Sequence, residues 1–221
     1  MRTAASWGFP MKRTVRDQQI QRALALKVRY FSLRQIAGCW WPDAKQPEVL
    51  AQRGLRQLVL DGLIERLTPM TGPMLDLAAP LLSWQPGQPD PDFGAVSWRL
   101  QSRWPQVPLT PTTIYRNSAR TNSMYGGPDD PKAVKIDQVT HDLHVSAVYL
   151  HFLRHRPDEA EFWVGEDLRP KSGFRLKDPD AILEHPDGSL HVVEFGGKYD
   201  TDRFRAFHLD CAKRGRSYEL W

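Results

Sequence analysis

Two carboxylates in the last third of the chain have the spacing of a paired acidic site. Asp180 opens a short apolar run, and Glu194 lies near the end of the next one, residues 190–195. Between the two runs, His185-Pro186-Asp187-Gly188 is a strong turn signal and predicts a hairpin. Adjacent strand ends bring such carboxylates close together, and Mg²⁺ favours oxygen ligands of this kind. A metal held there can activate water and stabilise the leaving oxygen of a phosphodiester.

The elements that must position this pair follow from the pattern around it. The sequence predicts a helix, a strand, a strand hairpin, a helix and a last strand, over residues 140–155, 161–166, 181–183 with 190–195, 202–214 and 217–221. This is a compact order of elements in which the hairpin carries both carboxylates.

These residues resemble the PD-(D/E)XK nuclease superfamily, whose members have the restriction-endonuclease-like fold. Pro179-Asp180 matches the first element of its motif and Glu194 matches the acidic residue of the second, and the resemblance covers residues 140–221. It implies a Mg²⁺-dependent DNA endonuclease in which Asp180 and Glu194 hold the metal. The lysine expected two residues after the acidic residue is replaced by Gly196. Lys198, after the Gly196-Gly197 bend, is then the candidate for positioning the attacking water.

The histidines are the other residues that could bind a metal. All seven lie in the C-terminal third, and four share one helical stripe: His141, His144, His151 and His155. Zinc can bind at such spacings, yet no cysteine or carboxylate with clear ligand spacing completes a site. The stripe is therefore expected to pack against the sheet or face solvent. His141 or His144 can still lie near the carboxylates and contact phosphate.

The charge of the chain is divided unevenly along its length. Residues 1–69 carry 12 Lys/Arg and 5 Asp/Glu, a net charge of +7, whereas residues 140–221 carry 12 and 15, a net charge of −3. A basic module attracts polyanions, of which nucleic acid is the commonest. A solvated basic surface is the alternative, and charge alone does not separate the two.

The basic third has the pattern of three short helices followed by a strand. Apolar spacing predicts helices over residues 14–30 and 48–61, and Ser32 with Gln35 forms a capping box that begins a helix between them. Gly62 lies where a left-handed residue ends the third helix, and a short strand follows to residue 67.

This pattern resembles a winged helix-turn-helix domain over residues 14–70, and the string LRQLVLDGLIERL is typical of its end. The resemblance implies that the third helix enters the major groove of double-stranded DNA. Its exposed polar residues would then read base edges, as arginine does with guanine and glutamine with adenine. These residues are Gln52, Arg53, Arg56 and Gln57. Each could equally be an ordinary solvated helix residue.

The middle of the chain is the least informative part. Residues 71–139 hold 10 of the 18 prolines and are neutral overall, with 6 basic and 6 acidic residues. They are expected to form a Pro-rich connector or arm, with a helix over residues 96–104. The domain division is therefore 1–70, 71–139 and 140–221.

Together, these features indicate an α+β protein in which a winged helix is joined to a restriction-endonuclease-like core. That combination resembles the replication-relaxation family of plasmids and integrative elements. This resemblance rests on residues 141–145, Pro179-Asp180-Ala181 and EFGGKYD at 194–200. The family implies DNA transactions on mobile elements. The alternative is a non-catalytic regulator or accessory whose nuclease-like domain binds partners or forms a homodimer.

The cellular setting follows from what the sequence lacks. No apolar run approaches the roughly 20 residues of a membrane span, and residues 1–13 contain no apolar core of a secretion signal. The two cysteines, Cys39 and Cys211, are too few for a disulfide framework. We therefore expect a cytoplasmic protein with no membrane partner.

Overall fold

The fold is described by a computed structural model over residues 13–129, 134–170 and 178–221. Helix accounts for 46% and strand for 17% of these described residues, which confirms the mixed α+β class.

The helices follow the predicted order, with additions in the middle of the chain. They are α1 Val15–Leu26, α2 Leu33–Trp40, α3 Pro47–Leu60, α4 Phe93–Ser102, α5 Ala119–Tyr125, α6 Ile136–His155, α7 Pro157–Glu161 and α8 Thr201–Lys213. The strands are β1 Phe31–Ser32, β2 Ile64–Leu67, β3 Met70–Thr71, β4 Leu82–Trp84, β5 Thr110–Pro111, β6 Ile114–Asn117, β7 Trp163–Gly165, β8 Ala181–Glu184, β9 Leu190–Glu194 and β10 Ser217–Leu220.

Five strands form the central sheet in the order β4-β10-β9-β8-β7. β7, β8 and β9 form an antiparallel meander, whereas β10 returns parallel to β9 after α8. This parallel return needs a crossover, and the 13-residue helix α8 provides it. β4 then closes the edge antiparallel to β10.

The N-terminal helices surround a small three-stranded sheet in the order β1-β6-β2. Capping boxes begin two of the helices: Thr14 with Asp17 at α1, and Ser32 with Gln35 at α2, as the sequence predicts. Gly62, past the end of α3, has φ +66°, which glycine adopts without strain.

The middle stretch, expected as a connector or arm, contributes to both sheets. It supplies β6 to the small sheet and β4 to the edge of the central one, and α4 packs beside α8. The chain thus leaves the small sheet after β2, crosses to the central sheet, and returns as β6 along β2.

One hydrophobic core runs through both halves of the molecule. On one face of the central sheet, Leu183 and Trp221 belong to the same buried cluster as Ile20 and Ile36 of α1 and α2. On the other face, Val192 and Leu220 pack with residues of α4 and α8, such as Leu100. The central sheet is therefore a middle layer with helices on both sides.

Hydrogen bonds from side chains to backbone carbonyls hold the end of α1 close to β7. The Lys27 ammonium donates to the carbonyls of Glu161 and Trp163 at 2.8 and 2.7 Å, and the Trp163 indole donates to the Lys27 carbonyl at 3.0 Å. A Cβ atom added to Gly165 would lie only 2.5 Å from that same carbonyl oxygen. Glycine is therefore the residue that lets the two segments approach this closely.

We expect Gly165→Ala to lower the free energy of unfolding by roughly 1–3 kcal/mol, because its methyl group must displace backbone rather than a side chain. Chemical denaturation measures the change. Gly38→Ala is the control: an added Cβ there meets no atom within 4 Å, and replacing a helical glycine stabilises by up to about 1 kcal/mol. Equal effects at the two positions would contradict the close approach.

Candidate functional site

Asp180 and Glu194 lie directly across from each other at the open end of the β8–β9 hairpin. The register pairs Ala181 with Val193, so the next residues outward are the two acids. The Asp180 N–H donates to Glu194 Oε2 at 3.0 Å, and the Phe195 N–H donates to Asp180 Oδ2 at 2.9 Å. Each carboxylate therefore binds the backbone of the other strand. The sequence prediction that the hairpin brings the pair together matches this geometry.

The remaining oxygens of the pair also accept hydrogen bonds from side chains. His141 Nε2 donates to Asp180 Oδ1 at 2.9 Å, and the Tyr199 hydroxyl donates to Glu194 Oε1. Both acids are buried, with exposures of 6% and 1%. Buried carboxylates need such donors because desolvation penalises an unsatisfied charge. All four oxygens thus have a protein donor.

The segment after Glu194 is covered by the middle stretch. A Cβ atom on Gly196 would lie 2.9 Å from Leu220 Cδ1 and 3.1 Å from Leu100 Cδ2, so no lysine fits there without displacing both leucines. The Trp104 indole donates to the Gly197 carbonyl at 3.0 Å. The ammonium of Lys198 lies 5.4 Å from the centre of the Trp104 ring. That placement is a cation–π contact with the middle stretch.

An arginine from the N-terminal half reaches a second group of acids beside this pair. Arg29, between α1 and β1, binds Asp167 with two nitrogens at 2.5 and 2.8 Å, Glu166 at 2.9 Å and Asp142 at 3.2 Å. These acids raise the pKa of Arg29 against the lowering effect of its burial. Burial raises the pKa of Asp142.

A cavity of about 60 Å³ lies between these groups, with Arg29, Asp142 and Asp180 in its wall. This space is large enough to hold ordered water.

The other histidines of the stripe on α6 are His144, His151 and His155, and their rings contact aromatic or histidine rings. The His144 ring stacks on Phe195 at 4.5 Å, its Nδ1 donates to the Thr140 carbonyl, and its Nε2 accepts from the Leu75 N–H at 2.9 Å. Burial lowers its pKa to about 4, so it is neutral near pH 7. His151 contacts His155 and Trp221. The expectation that the stripe packs against the sheet or faces solvent agrees with these contacts, since His155 is exposed.

The described ranges contain neither a metal-binding cluster nor a membrane-spanning helix. Residues 13–129, 134–170 and 178–221 contain no group of three or more His, Cys, Asp or Glu placed to hold a metal ion. Among the helices of these ranges, none is both long and apolar enough to cross a membrane.

The predicted recognition residues lie on the outer face of α3. Gln52, Arg53 and Arg56 are exposed, whereas Gln57 is half-buried and donates to Asp61 Oδ1 at 2.7 Å. The inner face of α3 is held by Ala51, Leu55 and Leu58, which are buried.

Trp41, at the end of α2, fixes α3 from one side. Its ring lies against Gly54, where an added Cβ would be 3.1 Å from the indole, and Arg16 of α1 covers it at 4.2 Å. A side chain at position 54 would crowd the Trp41 ring, so the packing of Trp41 explains the glycine inside α3.

Sequence reasoning missed two residues of the site, Tyr199 and Arg29. The weak signal for Tyr199 is its position between a Gly-Gly bend and Asp200, which caps α8. Arg29 has no local signal, because its partners lie 113 to 138 residues away.

Comparison with known proteins gives no relative for this chain. No protein-family profile, no curated protein and no solved structure matches it.

We expect Tyr199→Phe to lower the free energy of unfolding by roughly 1–3 kcal/mol, because it removes a donor from the buried Glu194 carboxylate. Urea denaturation of the purified protein measures this. The control is Tyr149→Phe, whose hydroxyl makes no hydrogen bond within the described residues and should cost about 0.5 kcal/mol or less. Equal losses of unfolding free energy in the two variants would show that the bond from Tyr199 to Glu194 does not stabilise the protein.

Proposed function

We propose that this protein binds double-stranded DNA through α3, and that its C-terminal half is a restriction-endonuclease-like core which supports binding without cutting. The observation that carries the second part is the hydrogen bonding of Asp180 and Glu194. Every oxygen of the pair accepts from a donor of the protein itself.

The order of elements in the N-terminal half supports the DNA-binding part. Three helices, α1 to α3, are followed by β2, and β6 joins β1 to β2 in one small sheet. A winged helix has this arrangement, with its third helix offered to the major groove. Arg53 and Arg56 are exposed on that helix, and residues 1–69 carry a net charge of +7. Polyanion binding by such a surface is largely electrostatic.

The arrangement of the C-terminal half supports the nuclease-like part. The sequence of α6, β7, β8, β9, α8 and β10, with β10 parallel to β9, is the order expected from the PD-(D/E)XK resemblance. Asp180 and Glu194 lie at the two positions that this resemblance assigns to metal ligands. This half therefore supplies the acidic pair of a nuclease.

The other features expected of a cutting site are absent from the described residues. Gly196 has no room for the superfamily lysine, and Lys198 lies over Trp104. His141 and Tyr199 use the oxygens that a Mg²⁺ ion would need. As placed, the pair does not fit the metal, and we derive no catalytic step through it. DNA binding without hydrolysis is the function that this geometry supports best.

The setting in which such a protein acts follows from its resemblance to replication-relaxation proteins. We infer a role in DNA transactions of a plasmid or integrative element, as a regulator or as an accessory to replication or transfer. Its partner there is duplex DNA. A homodimer through the C-terminal half belongs to the same proposal.

A metal-dependent nuclease is the second candidate. The cross-strand position of Asp180 and Glu194 favours it, together with the side chain of His141, which is 30% exposed beside Asp180. In that case, Mg²⁺ would replace His141 and Tyr199 as the partner of the carboxylates. The two candidates share the DNA-binding half and differ at this pair alone.

We expect Arg53→Ala/Arg56→Ala to weaken binding to duplex DNA by about tenfold or more and to reduce the slope of log K against log salt by about 2, because two cationic contacts are lost. Fluorescence anisotropy over a salt series measures both quantities. Arg99→Ala/Arg205→Ala removes the same charge from exposed sites on α4 and α8 and should retain nearly full affinity. Similar losses in both double variants would reject α3 as the binding helix.

A further inference from the structure

Three turns meet at the end of the central sheet opposite the carboxylate pair. They are the loop after β4, the β8–β9 turn and the turn between α8 and β10. These three turns line a surface pocket of about 560 Å³. Leu190, which lines the pocket, lies four residues before Glu194 on β9, a distance of about 13 Å along the strand. This pocket is therefore separate from the site described above.

The residues around this pocket can bind an anion. Its lining contains Arg214, Arg216, Ser189 and Ser217, and no acidic side chain is among the lining residues that the structure describes. Gly188 and Gly215, with φ +82° and +63°, form the turns that bring these groups together. Guanidinium groups are typical partners of phosphate oxygens.

The two arginines differ in how they are held. Arg214 Nε donates to both oxygens of Asp210, at 2.9 and 3.0 Å, which fixes the plane of its guanidinium. Arg216 is half-buried and, within the described residues, makes no side-chain hydrogen bond or ion pair. The pocket thus holds one oriented guanidinium and one whose donors remain for a ligand.

A third guanidinium adds positive charge nearby. Arg169 Nη1 is buried and, among the residues that the structure describes, has no hydrogen-bond partner. Burial lowers the pKa of Arg169, and the charges of Arg216 and Arg214 lower it further, against the opposite effect of Asp178 and Glu184. Like charges within reach of one another repel, and an anion bound by Arg214 and Arg216 reduces that cost.

Basic residues at a helix end also have a simple explanation, since they stabilise the helix dipole. That explanation covers Lys213 and Arg214 at the end of α8. It does not cover Arg216, which lies beyond the helix in the wall of the pocket.

We propose that this three-turn pocket is a phosphate-binding site in which Arg214 and Arg216 contact the ligand. The phosphate belongs either to a nucleic-acid backbone or to a small free phosphate compound. The pocket is larger than one phosphate group, which leaves room for the rest of either molecule.

Pyrophosphate is the probe for this site, measured by isothermal titration calorimetry and by the shift in unfolding temperature. The wild-type protein should bind it and be stabilised, and Arg214→Gln/Arg216→Gln should lose at least about tenfold in affinity, as expected for removal of charged hydrogen bonds. The control Arg205→Gln/Lys213→Gln removes the same charge from exposed positions on α8 and should bind like the wild type.

A short DNA duplex then identifies the source of the phosphate. If Arg214→Gln/Arg216→Gln weakens DNA binding as well, the pocket takes a backbone phosphate; if DNA affinity is unchanged, it takes a free phosphate compound. Arg53→Ala/Arg56→Ala should retain pyrophosphate binding, so failure at α3 and failure at this pocket are distinguishable. A wild-type protein that pyrophosphate neither binds nor stabilises would overturn the proposal, as would equal losses in the pocket variant and its control.

Discussion

The reciprocal bonding of Asp180 and Glu194 is the interaction on which the site depends. Each carboxylate accepts an N–H from the strand of the other, which holds β8 and β9 in register at their open end. Because both charges are buried, each also needs further donors, and these come from His141 of α6 and from Tyr199 in the segment before α8. The pair thus connects the sheet to α6 and to the segment that leads into α8. These hydrogen bonds stabilise the hairpin and also give every oxygen of the pair a protein donor.

The second constraint is the path of the middle stretch. By leaving the small sheet after β2 and returning as β6, it ties the N-terminal helices to the central sheet. On the way, α4 and Trp104 cover the segment at 196–199, so β6 and the carboxylate site are joined by one piece of chain. Arg29 adds an ionic link between the halves through Asp142, Glu166 and Asp167. These links couple the N-terminal helices to the central sheet.

Local signals predicted most elements of both halves. The capping box at Ser32 begins α2, and the turn at 185–188 joins β8 to β9 and so brings Asp180 to Glu194. Boundaries were less exact: α6 begins at Ile136 rather than at residue 140, and α7 occupies part of the run before β7. The partners of β4 and β6 could not be predicted, because strand pairing across a long excursion leaves no periodic signal in either strand. The role of Arg29 could not be predicted either, because its partners are distant in sequence. The space at Gly196 depends on Leu100, almost a hundred residues earlier.

We propose above all that this protein binds DNA and does not cut it. The most direct measurement incubates supercoiled plasmid with the protein and Mg²⁺ or Mn²⁺, beside an EDTA control and Glu194→Gln, and follows both gel retardation and nicking. We expect retarded, intact plasmid under every metal condition. Nicking or linearisation that requires the metal and disappears in Glu194→Gln would contradict it. That result would make Asp180 and Glu194 the metal ligands of a nuclease.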